Sequence, residues 1–162
     1  MEIDFGNFFL PFNIKTNPGD IVIASPVYAF EALMSENRKL SPAKFFRRII
    51  LVDAVNGSSE ITKLTKFPAP VVLDENLEFY RLEPCITSAT ARFVAEKGTL
   101  TYEERSFGVL HMDWKIYSEH FVEKRLYKGY IIREDRLIDS FSAHAAVSPK
   151  IYDLPLKLRK NC

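Results

Sequence analysis

The sequence predicts an α+β fold that is mainly antiparallel β, a curved sheet or partial barrel with one helix packed on it. Two patterns lead to this prediction. From residue 77 to residue 142, apolar and polar residues alternate in runs that short turns separate, which is typical of consecutive strands. One segment, about residues 26–36, combines a capping signal with an apolar stripe at helical spacing. The runs amount to about seven to nine strands.

The first residues are very apolar for a chain terminus. Residues 1–13 hold four phenylalanines and a leucine, namely Phe5, Phe8, Phe9, Phe12 and Leu10. Free termini usually fray, so we expect this segment to dock on the body of the protein or on another subunit. The 162 residues as a whole, 1–162, are predicted to form a single domain with its own core.

The predicted helix follows a short buried strand at residues 20–24. Ser25 supplies an N-cap and Pro26 a first-turn proline. The apolar stripe that follows consists of Val27, Phe30, Leu33 and Met34. This stripe predicts a helix over about residues 26–36 that faces the core.

A second Ser-Pro pair at residues 41–42 predicts a short helical turn over residues 42–45. Strands are expected near residues 46–55 and 59–66, because Asn56-Gly57 suits a two-residue hairpin turn. A helix that continues to about residue 52 is the alternative.

The remaining chain reads as strands and turns. The predicted strands cover residues 71–73, 77–82, 86–95, 99–105 and 109–117, and a final hairpin pairs residues 127–133 with 137–141. Residues 148–162 contain two prolines and end in a basic cluster, so we expect an irregular C-terminal extension.

Charge and cysteine content restrict the classes of protein. The net charge is +1, so no overall field favours nucleic acid or an anionic membrane. No apolar stretch approaches the length of about 18 residues that a membrane span needs, and the acidic start lacks an export signal. Two cysteines far apart in sequence favour reduced thiols. A soluble, cytoplasmic protein is the expectation.

The strand predicted at residues 109–117 carries the first candidate site. Alternation places His111 and Asp113 on one face, where Asp113 could orient His111 as a general base. With His144 or His120 as a third ligand, the pair would match a two-histidine, one-carboxylate site for iron or another divalent metal. A solvated polar face is the preferred interpretation of the pair, and we predict no cofactor.

Two further groups of residues are candidates for binding. Aromatic residues make up 13% of the chain, which suits a β-rich core or an aromatic-lined cavity, and the candidate ligand-binding residues are Trp114, Tyr117 and Tyr130. The segment of residues 44–48 mixes aromatic with basic residues, as surfaces for single-stranded nucleic acid do, and its candidates are Lys44, Arg47 and Arg48. The near-neutral net charge disfavours nucleic acid, and long basic side chains also cover apolar surface.

The sequence therefore predicts a non-catalytic binding or assembly domain, with a small apolar or aromatic ligand or a protein subunit as its partner. The apolar first segment and the C-terminal extension favour a homo-oligomer, for which a symmetric dimer is the commonest arrangement. A small enzyme that uses His111 and Asp113 is the alternative. Binding of single-stranded nucleic acid is the second alternative.

Overall fold

The computed structural model describes Phe5 and residues 8–38, 41–72, 78–98, 113–134 and 136–144. Within these residues it contains six strands, one α-helix and one π-helical turn. In chain order they are β1 (Ile21–Arg38), β2 (Ser41–Asp53), β3 (Ser59–Ile61), β4 (Glu78–Arg81), α1 (Ser88–Phe93), the π-helical turn (Val94–Gly98), β5 (Asp113–Arg133) and β6 (Arg136–Asp139). The prediction of an α+β protein that is mostly antiparallel β is confirmed.

The strands form one sheet in the order β3-β2-β1-β5-β6. β2 pairs with β3, and β5 with β6, in antiparallel fashion, whereas β4 runs parallel to the start of β1, with Ile21 opposite Glu78. The described strands are fewer than predicted, and they do not close into a barrel.

The described residues group into two compact units. Unit 1 consists of the described residues within 1–27, 68–85 and 125–162, and unit 2 consists of those within 28–67 and 86–124. Both long strands, β1 and β5, contribute one part to each unit.

In unit 1, the apolar N-terminal segment is built into the fold. Phe9 exchanges backbone hydrogen bonds with Val71, and the flanking residues Phe8 and Leu10 bond to the backbone of Tyr127. Phe5, Phe9 and Leu10 are buried. The prediction that this segment docks on the body is confirmed, because its backbone donors find partners on two other segments of the chain.

An ion pair fixes the turn before β1 in unit 1. The guanidinium of Arg133 donates to both carboxylate oxygens of Asp20 at 3.0 and 2.7 Å, and to the backbone oxygen of Lys15 at 2.9 Å. These hydrogen bonds lower the pKa of Asp20 below its ordinary value, although burial of the carboxylate acts in the opposite direction.

The helix predicted at residues 26–36 is wrong, since these residues belong to β1. Four consecutive residues, from Val27 to Phe30, are buried. An amphipathic helix would expose one side of such a run, whereas in β1 consecutive residues point to opposite faces and both faces are buried here. An apolar run as dense as this one fits the helical period and the strand period equally.

The helical turn predicted at residues 42–45 is wrong as well, because β2 already begins at Ser41. The Ser-Pro signal contributes only about 1 kcal/mol to a helix start. Pairing of β2 with β1 along the sheet outweighs that local preference.

The strand predicted at residues 86–95 is in fact α1 followed by the π-helical turn. Thr87 is the N-cap, and its hydroxyl accepts a hydrogen bond from the backbone N–H of Thr90 at 3.2 Å. The side chains that this segment buries are the small residues Ala91 and Ala95, four positions apart on one helical face.

The turn between β2 and β3 lies where the sequence predicts it but is longer than two residues. The carboxylate of Asp53 accepts hydrogen bonds from the backbone N–H groups of Val55 and Asn56. Pairing resumes where the N–H of Asp53 bonds to the oxygen of Ser58, and Gly57 adopts a φ of +76°. Capping by Asp53 therefore replaces the predicted type I′ turn.

The last predicted hairpin is confirmed, since Arg133 at the end of β5 pairs with Arg136 at the start of β6. The strand predicted at residues 77–82 corresponds to β4. The strand predicted at residues 109–117 is described from Asp113 onward, as part of β5. The strand predicted at residues 99–105 and the C-terminal extension, 148–162, lie outside the described residues.

Cys85 lies half-buried in unit 1, and the reduced state of its thiol stays a prediction. The other cysteine of the chain, Cys162, lies outside the described residues. The cytoplasmic location stays a prediction. No helix in the described part of the chain is long and apolar enough to cross a membrane.

Candidate functional site

The structure leaves the proposed catalytic pair untested. His111 lies outside the described residues, and Asp113 is described only as the first residue of β5, without its side chain. His144 is exposed in unit 1, where its backbone oxygen accepts a hydrogen bond from Asp139. Among the described residues, no three His, Cys, Asp or Glu side chains lie together as a metal site would require.

Tyr130 is separated from the other two predicted ligand-binding aromatics. It belongs to unit 1 and is only 8% exposed, opposite Asp139 in the β5–β6 ladder. The ammonium of Lys128 lies 5.7 Å from its ring centroid and forms a 2.7 Å ion pair with Asp139. Tyr130 therefore packs in the interior of unit 1.

Trp114 and Tyr117, in contrast, meet the basic and aromatic segment of β2 within unit 2. The ring of Tyr117 lies 6.0 Å from that of Phe45, and the ring of Trp114 lies 5.9 Å from that of Phe46. Two groups of residues that the sequence identified separately thus form one region of the protein.

Strand alternation divides this region into two faces. We call Phe45, Arg47, Lys115 and Tyr117 the cationic–aromatic surface. Phe45 is 59% exposed, and Arg47 and Lys115 are also exposed. The ammonium of Lys115 lies 4.8 Å from the ring centroid of Tyr117, a distance typical of a cation–π contact.

The opposite face also combines an aromatic pair with a cation, but its rings are less exposed. Phe46 and Trp114 pack edge to face, and the guanidinium of Arg48 lies 5.0 Å from the ring centroid of Phe46. Both rings are half-buried, whereas Lys44 on the same face of β2 is exposed. This face mainly anchors β2.

Residues of β1 support the cationic–aromatic surface. The hydroxyl oxygen of Ser35 lies 3.2 Å from that of Tyr117, and Ser35 is fully buried. The carboxylate of Glu31 lies 3.2 Å from the guanidinium of Arg47, whose side chain remains 51% exposed. One contact fixes the tyrosine ring and the other orients the arginine.

The outer edge of β2, on the side away from β1, is a further feature of this region. β3 pairs with Ile50–Val52 only. In the part of the chain that the structure describes, no strand pairs with the outer edge of residues 41–48. This stretch contains three cationic residues and no acidic one.

Sequence reasoning missed Glu31 and Ser35 because both were assigned to a helix. It also missed a further cation–π contact in unit 2, where the guanidinium of Arg92 lies 5.3 Å from the ring centroid of Phe121. No local sequence pattern predicts these contacts, because each joins two segments that are distant in the sequence.

The comparisons with known proteins give no match: no family model, no curated protein and no solved structure is significantly similar to this chain.

Proposed function

We propose that the protein is a non-catalytic binding domain and that its cationic–aromatic surface holds an anionic ligand. The observation that carries the proposal is the exposed ring of Phe45, held against Tyr117 and flanked by Arg47 and Lys115. An aromatic ring that is fixed but open to solvent offers contact area to a ligand at little entropic cost.

The charges of β2 determine the sign of the ligand. All the charged side chains that this edge carries between residues 41 and 48 are positive, namely Lys44, Arg47 and Arg48. A second copy of the chain that paired along this edge would place like charges opposite each other, which is destabilising. An anionic partner fits this edge better than a second copy, and the predicted homo-oligomer would need another surface.

Protection against aggregation is the simplest competing explanation for these charges, because lysines on edge strands block unwanted pairing. Charges alone would serve that purpose. They give no reason to expose a phenylalanine beside them, whereas a surface that binds a ligand can use both the charges and the ring.

Heparin–agarose chromatography tests the proposal with a defined polyanion. We expect the wild-type protein to be retained at low salt and released as the salt concentration rises. The double variant Arg47→Glu/Lys115→Glu should elute at clearly lower salt. Lys63→Glu/Lys66→Glu is the matched control, because it makes the same change of charge at exposed residues of unit 2 outside the surface.

Equal loss of retention in both double variants would show that only net charge matters, and it would contradict the proposal. Absence of retention for the wild-type protein would contradict it as well.

A further inference from the structure

We infer that the anionic ligand is a single-stranded nucleic acid, with a base stacked on Phe45 and phosphates bound by Arg47 and Lys115. This inference rests on the proposed function, because it names the ligand of the same surface.

The first step concerns the ring of Phe45. Its contact with Tyr117 has an interplanar angle of 35°, and the hydroxyl of Tyr117 is in turn held by the buried Ser35. The ring therefore has a supported orientation, while more than half of the residue stays open to solvent. Bases stack on such rings whatever their identity, since every base has a π-face.

The second step concerns the cations beside the ring. Arg47 follows Phe45 by two positions, and Lys115 precedes Tyr117 by two, so all four side chains lie on one face of their strands. Glu31 neutralises Arg47 only in part, because the arginine side chain is 51% exposed. A base on the ring would thus have cations on both strands available for the adjoining phosphates.

The third step distinguishes single strands from duplexes. In a duplex the base faces are stacked on each other, so a ring on the protein surface reaches only the backbone. A single strand can present both a base face and phosphates to the same surface. Phe45 would contribute nothing to duplex binding, so the exposed ring favours the single strand.

An acidic peptide is the competing anionic ligand. It could add as an extended strand to the outer edge of residues 41–48, which lacks a partner strand among the described residues. Such binding would depend on the backbone and on the cations. It would not depend on the ring of Phe45, and this difference separates the two ligands experimentally.

Fluorescence anisotropy with a labelled oligothymidylate of about 15 nucleotides is the experiment. A duplex of the same length, heparin and poly-glutamate serve as competitors. We expect Phe45→Ala to weaken binding of the oligothymidylate about tenfold, because one stacking contact is lost. Phe93→Ala removes a phenylalanine that is 64% exposed on α1, outside the surface, and should leave the affinity unchanged. Far-UV circular dichroism of both variants checks that the fold is intact.

The outcomes separate the two proposals. The inference is supported if Phe45→Ala reduces binding of the oligothymidylate and the duplex displaces the oligothymidylate only poorly. If heparin or poly-glutamate binds as tightly as the oligothymidylate, and Phe45→Ala does not change these affinities, the nucleic-acid inference is overturned. The proposed anion-binding function would remain. If none of these polyanions binds, both proposals fall.

Discussion

The ring of Phe45 lies 6.0 Å from the ring of Tyr117, although their strands, β2 and β5, are not neighbours in the sheet. β1 separates the two strands and contributes the buried hydroxyl that contacts Tyr117. Three strands therefore determine the position of one exposed ring.

Tyr117→Phe should lower the free energy of unfolding by about 1–2 kcal/mol, because it leaves the buried hydroxyl of Ser35 without this partner. Urea denaturation measures the loss. Ser35→Ala and the double variant complete a mutant cycle, in which the double variant should lose less stability than the sum of the single changes. Strictly additive losses would show that the two hydroxyls do not interact.

Glu31→Gln should strengthen binding of the oligothymidylate about twofold, since it removes the partner that neutralises part of the charge of Arg47. Anisotropy titrations at constant salt measure the change. Glu60→Gln, at an exposed position of β3, makes the same change of charge and should have a smaller effect. Weaker binding of Glu31→Gln would indicate that Glu31 holds Arg47 in its binding position.

The ion pair of Asp20 and Arg133 should make stability depend on acid pH. Because the hydrogen bonds of Arg133 lower the pKa of Asp20, its contribution is complete above the ordinary carboxyl value and is lost as the pH falls through the lowered one. Wild-type protein should therefore exceed Asp20→Asn in stability at neutral pH, by a margin that shrinks in acid.

Thermal unfolding of the two proteins at a series of pH values measures this margin. Glu83→Gln, which changes an exposed carboxylate of unit 1, is the control and should show a smaller margin at neutral pH. A margin between wild type and Asp20→Asn that stays constant down to pH 2 would contradict the role of the ion pair.

Gly129→Ala should destabilise unit 1 by about 1–3 kcal/mol, because an added Cβ would lie 2.5 Å from the end of the Phe12 ring. Thermal or urea unfolding measures the effect. Phe12→Leu shortens the side chain that the added Cβ would overlap. The double variant should therefore lose less free energy of unfolding than the sum of the losses from the two single changes. A Gly129→Ala protein as stable as the wild type would show that Phe12 moves aside freely.

Sequence patterns predicted the mostly antiparallel sheet and its last hairpin, because two strand-like runs flank a short polar turn at residues 134–136. They missed that residues 118–126 join the two strands predicted at 109–117 and 127–133 into the single strand β5. They failed for residues 27–30, where apolar residues fill both faces of a strand and any period fits. They also failed for α1, because the cap at Thr87 is a single weak signal among residues of mixed preference.

The candidate site could likewise be predicted only in part. Lys44, Arg47 and Arg48 stand out in the sequence because they are adjacent to aromatic residues. That Tyr117 would lie against Phe45, and Trp114 against Phe46, depends on the order of strands in the sheet. Strand order is set by pairing between distant segments, which local patterns do not encode.

The most direct test of nucleic-acid binding at the cationic–aromatic surface is to map amide chemical shifts by NMR during titration with the oligothymidylate. We expect the largest shifts at residues 41–48 of β2 and 115–117 of β5, with small changes in α1. Saturable binding with its largest shifts at α1 or in unit 1, and none at Phe45 or Tyr117, would contradict it.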